Sequence, residues 1–147
     1  MIHYTHEGKM NFLHKFISKY EIKSSSDSQR IEDRAFAIEK EINSGKNPWI
    51  KGMNCRLFAQ LLMETPSIEK QPKLKTIEPG AILFWGSGGQ WAHVAVALDP
   101  ENVIQIGGWH EQVEKLPLKK VISEWGKKYE IYKPKTSPAD LRSAAPA

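Results

Sequence analysis

A single cysteine, Cys55, stands in a chain of 147 residues, which rules out an intramolecular disulfide and any cysteine-rich zinc site. Long apolar runs are missing too. Nothing approaches the roughly 20 residues that a bilayer-spanning helix needs, and the first twenty positions interleave histidine and lysine with their apolar residues. Neither membrane insertion nor a signal peptide is expected. The excess of one charge over the other is small. The formal net charge is +4, and the lysines are scattered among acids with no Arg-rich or aromatic-interleaved stripe, so nucleic acid is not an expected partner. His3, His6 and Glu7 lack a fourth ligand, and Gly86-Ser87-Gly88-Gly89 lacks the lysine and helix of a phosphate loop. No metal and no cofactor are therefore expected.

What is present is the composition of an ordinary soluble domain, with 40% hydrophobic and 26% charged residues. The order of patterns predicts helices first and strands second, an α+β fold. Phe12, Leu13, Phe16, Ile17 and Tyr20 recur at helical spacing. After the serine-rich stretch at 24–28, Ile31, Ala35, Ile38 and Ile42 do so again, up to Gly45. Asn54 is placed to cap a third helix that carries Cys55, Phe58, Ala59 and Leu62 and stops at Thr65-Pro66.

Beyond Pro79-Gly80 the period changes. Ala81 to Trp85, Ala92 to Leu98 and Val103 to Ile106 are short, rich in branched and aromatic residues and separated by turn signals, as consecutive antiparallel strands are. A short amphipathic piece at Val121 to Trp125 and a strand at Tyr129 to Tyr132 follow. The expected organisation is one domain over residues 1–133, with a disordered tail over 134–147.

Three residues carry the chemistry. Cys55 opens a helix, where unpaired N–H groups and the helix dipole favour a thiolate. Alone, it reads more readily as a small buried hydrophobe. His93 lies inside an apolar strand, where a buried imidazole needs a partner. Its face continues as Ala95 and Ala97, so the Cys55 helix is expected to pack across those alanines and bring thiol and imidazole together. Gln105, the one polar residue of the next strand, reads equally as the group that orients the ring and as an exposed residue of an edge strand. Glu101 and His110, both in loops, are the weaker candidates for that role. Trp85, Trp91 and Trp109 surround the same region, either as core or as walls of a groove.

Asn54-Cys55-Arg56-Leu57-Phe58-Ala59, Pro79-Gly80-Ala81-Ile82-Leu83-Phe84-Trp85, Ala92-His93-Val94-Ala95-Val96 and Val103-Ile104-Gln105-Ile106, in that order, resemble the NlpC-type and CHAP-type papain-like cysteine amidohydrolases. In those families a cysteine opens a helix, a Pro-Gly turn starts a strand, a histidine begins the next strand, and a polar residue on the following one completes the triad. The resemblance implies a nucleophile helix packed on a C-terminal antiparallel sheet, with Cys55, His93 and Gln105 as catalytic residues and peptidoglycan stem peptides as substrate. The pattern departs at Asn54 and Arg56, where aspartate and serine are usual, and at Ala81, where an acid is usual. A related acyltransferase branch places its histidine before the cysteine. Here Cys55 comes first, which favours hydrolysis.

The resemblance also implies that a chain without a signal peptide is made in the cytoplasm and either reaches the wall, by phage lysis or by a signal-independent export route with an immunity protein as partner, or trims recycled wall fragments in the cytoplasm. Two other classes fit the same residues: a deamidase or peptidase effector acting on a host protein, and a catalytically silent binding module of the same fold.

Overall fold

The computed structural model describes residues 26–45, 53–86, 93–107 and 112–142. The helix expected over Asn11 to Ile22 and the residues Trp91, Trp109 and His110 lie outside them.

Helix α1 (Asp27–Asn43) begins where Ser26 Oγ accepts from Gln29 N at 3.1 Å, closing one of the unpaired N–H groups of the first turn. Its predicted stripe of Ile31, Ala35, Ile38 and Ile42 is buried throughout. Helix α2 (Cys55–Leu62) is capped by Asn54, whose Oδ1 accepts from Leu57 N at 2.7 Å. It ends three residues earlier than Thr65, as Glu64 enters the left-handed region at φ 48° and turns the chain away.

Strands β1 (Ile82–Trp85), β2 (His93–Ala97), β3 (Asn102–Gly107), β4 (Gln112–Pro117) and β5 (Tyr129–Tyr132) form one antiparallel sheet in the order β4-β3-β2-β1-β5. Helix α3 (Leu118–Trp125) leads from β4 at one edge to β5 at the other. The fold is thus α+β, as expected. Strand β4 was not foreseen.

Period-2 alternation divides the strand residues between two layers. On one face Ile82, Phe84, Val94, Val96, Leu98, Ile104 and Ile106 join α1 and α2 in the main core. On the other, Leu83, Trp85, Ala95 and Val103 close on Leu118 and Val121 of α3. Both faces of the central strands are covered, which is why β1 and β2 are buried at every position rather than alternately.

One expectation is corrected here. Helix α2 packs across β2 and β3 on the face of Val94, Val96 and Leu98, not on the face of Ala95 and Ala97. The branched side chains offer more apolar area to Leu57, Phe58 and Leu61 than two alanines can. The alanine face, being shallow, admits α3 and the large ring of Trp85 instead.

A second correction concerns the C-terminal stretch. Residues 134–142 were expected to be disordered, yet they form a strap bonded to α1 and to the end of α2. Arg30 donates to the carbonyls of Pro138 and Leu141, and Arg34 to that of Arg142. Lys135 N bonds Thr65 Oγ1, Thr136 Oγ1 bonds Glu64 O, and Leu141 is buried. Gly80 completes the seat: a methyl there would collide with Met63 Cε and Pro138 Cγ, and its φ of 91° is one that only glycine adopts without strain. These anchors are long-range hydrogen bonds to irregular backbone, which leave no periodic trace in the sequence. Residues 143–147 lie outside the described part.

Candidate functional site

His93 opens β2 and is 6% exposed. Its Nε2 lies 2.6 Å from Gln105 Oε1. The pairing foreseen from the two strands is therefore made, and it follows from the pleat: His93 and Gln105 project from neighbouring strands onto the same face. Gln105 is itself buried, and its Nε2 lies 3.4 Å from Glu114 Oε2 on β4.

Two indoles enclose the imidazole. Trp85, the cross-strand partner of His93, holds its ring centroid 5.7 Å away. Trp125, at the end of α3, stacks on the imidazole at 4.7 Å with only 8° between the ring planes. Trp85 is fixed in turn by its Nε1, which donates to Gly126 O at 2.8 Å, just past the end of α3. Burial among these rings pushes the pKa of His93 below its ordinary value, against the opposing pull of the Gln105 hydrogen bond and of the Glu124 and Glu114 charges. The ring is thus held neutral at physiological pH, the state in which it can act as a base.

Of the three tryptophans that the sequence marks as either core or groove walls, Trp85 is described and is buried core. Trp125, which the sequence marks only as the end of an amphipathic piece, is the ring that stacks on the histidine. Periodicity had placed Trp125 within an amphipathic helix, but only the path of α3 under the sheet carries it to His93. With Trp125 41% exposed, its replacement by alanine should leave the fold intact and admit water to the ring. The His93 pKa should then rise toward its ordinary value in an NMR titration. An unchanged titration would show that the stacked indole does not control the solvation of the ring.

Cys55 is the first residue of α2, with its side chain half-buried against the main core. Arg56 places this helix start: its guanidinium lies 5.7 Å from the centroid of Phe84, and Phe84 pairs with Val94. Cys55 belongs to the layer of α2 and the imidazole, beside Trp85, to the layer of α3, on opposite faces of the sheet. With Nε2 engaged by Gln105, the ring nitrogen left for a nucleophile is Nδ1, the one next to the strand backbone. The alanine face, across which thiol and imidazole were expected to meet, does not bring them together.

Glu101 sits in the turn between β2 and β3, at the far end of β2 from His93. Its backbone N–H donates to Asp99 Oδ1, and Asp99 gathers the turn. It is not the orienting group. Among the described residues, no group of three or more histidine, cysteine or acidic side chains is arranged to hold a metal ion, and no helix is long and apolar enough to cross a membrane. Comparison with models of known protein families, with curated proteins and with solved structures found no match to this chain.

Proposed function

We propose that the protein is a cysteine-dependent amide hydrolase of the papain-like kind that its sequence resembles, with Cys55 as nucleophile, His93 as general base and acid, and Gln105 as the group that orients the imidazole. The observation that carries this reading is the 2.6 Å hydrogen bond between His93 Nε2 and Gln105 Oε1, which fixes a buried, neutral imidazole and leaves Nδ1 for the thiol.

In the proposed reaction, Cys55 Sγ attacks the amide carbonyl carbon after giving its proton to His93 Nδ1. The backbone N–H of Cys55, in the first turn of α2 where such groups lack intrahelical partners, supports the developing oxyanion. His93 returns the proton to the leaving amine as the C–N bond breaks, and a thioester remains on Cys55. Water, deprotonated by His93, then releases the acid and restores the thiol. A peptidoglycan stem peptide is the substrate class that the resemblance favours.

The test is the rate of iodoacetamide alkylation of the native protein against pH, followed by intact mass, with His93→Ala alongside. Having one cysteine makes the adduct unambiguous. Alkylation that is faster in the wild type than in the variant at neutral and mildly acidic pH is the expected result for a thiol whose proton His93 accepts. Alkylation that needs unfolding, or that follows the same pH curve in both proteins, would remove the nucleophile role of Cys55.

A further inference from the structure

Glu114 lies on β4 directly opposite Gln105 of β3. Between it and His93 stands an amide that can be turned two ways. With its oxygen toward the ring, Gln105 requires a proton on His93 Nε2. With its NH₂ toward the ring, it requires a lone pair there. The two orientations fill the same space and differ only in which hydrogen bonds they satisfy.

A carboxylate breaks this symmetry because it only accepts. Gln105 Nε2 lies 3.4 Å from Glu114 Oε2, so the NH₂ is drawn to that side and Oε1 faces the ring, where it lies 2.6 Å from His93 Nε2. We propose that Glu114 is a positioning residue which, through Gln105, holds neutral His93 in its Nε2–H tautomer and so leaves the lone pair on Nδ1. The use made of that lone pair rests on the hydrolase reading, but the tautomer itself does not.

Gly107 borders the place where the carboxylate sits. It lies on the same strand and face as Gln105, one side-chain position further along, and diagonally from Glu114. A methyl at Gly107 would run into the Glu114 carboxyl group, with Cδ at 2.9 Å. Nothing about its backbone calls for glycine, since it is absent from the positive-φ positions. The room that it leaves is filled by the carboxylate. The groups that bear on the ring come from every neighbouring element: Trp85 from β1, Gln105 from β3, Glu114 from β4, and Glu124 and Trp125 from α3.

Long-range proton–nitrogen spectra of the ¹⁵N-labelled full chain, taken above the titration range of the ring, read the tautomer directly. The His93 signals are identified by their loss in His93→Gln. In the wild type, Nε2 should resonate as a protonated nitrogen and Nδ1 as an unprotonated one. In Glu114→Ala the two should move toward each other as the tautomers mix. Glu114→Gln, which keeps the shape of the side chain but can donate as well as accept, should do the same and decides the matter if the alanine variant does not fold. A wild-type ring protonated on Nδ1, or an unmixed Nε2–H ring in a folded Glu114→Gln protein, would overturn the proposal. Cys55→Ala should leave the spectrum in its wild-type form, so failure of the hydrolase reading in the alkylation experiment and failure of this one are separate results.

Discussion

Cys55→Ala and His93→Ala should each slow the release of amine from purified stem peptides by on the order of 10⁶-fold, the loss seen when the nucleophile or the base of such a pair is removed alone. The double variant should be no slower than the worse single one, because a thiol without its base and a base without its thiol fail at the same step. Gln105→Ala should lose less. It leaves Nδ1 in place, and Trp85 and Trp125 still hold the ring from two sides, so what is lost is the choice of tautomer and the satisfaction of a buried N–H. Fragment masses before and after digestion would show which amide opens. Undiminished activity in a homogeneous Cys55→Ala preparation would sink the covalent mechanism outright, whereas additive losses in the double variant would mean that His93 acts somewhere other than on Cys55.

The parts of this site that can be read from the sequence are those set by local rules. Asn54 before an apolar helical stripe is a cap whatever the tertiary structure, and the cap is made. A histidine and a glutamine, each alone among apolar residues on strands joined by a tight Asp99-Pro100-Glu101-Asn102 turn, are brought to one face by the pleat, and they bond. What local rules do not reach is the choice of which helix covers which face. Both faces of β2 are apolar, and the small residues Ala95 and Ala97 fit a close helix as well as they fit a bulky ring from the neighbouring strand. The outcome turned on the larger area of Val94, Val96 and Leu98, and on α3, which periodicity located only in part. Glu114 was out of reach for a related reason. Gln112–Pro117 carries only Val113 and Leu116 as apolar residues among charge, too weak an alternation to mark a strand, and without β4 there is nothing to set a carboxylate opposite Gln105.

Arg34 carries the largest expected effect on stability. It lies in the middle of α1 with no exposed surface, and its guanidinium donates to Leu61 O and Leu62 O at 3.1 Å each and to Arg142 O at 2.8 Å. The first two carbonyls belong to the last turn of α2, where intrahelical donors run out and the helix dipole is negative, so a buried cation is well matched to them. Burial lowers its pKa to about 10, partly offset by the Glu64 charge, and Arg34 therefore remains protonated at neutral pH. Arg34→Ala would take the guanidinium from Leu62 O and Arg142 O, leave Leu61 O with the Glu64 N–H alone, and open a cavity at once, a loss of about 3–5 kcal/mol. Arg34→Lys should recover only part of this, because one ammonium lacks the fork that spans α2 and the strap together. The control is Arg30→Ala. Arg30 is half-buried and bonds only the Pro138 and Leu141 carbonyls, so its loss should cost about 1 kcal/mol. Urea midpoints at constant slope measure all three, with hydrogen exchange reporting on the Leu141 and Arg142 amides. If Arg34→Ala cost no more than Arg30→Ala, the end of α2 would not depend on the guanidinium. The expected gap would instead mean that the helix presenting Cys55 is held at both ends, by Asn54 at its start and by a buried cation at its close.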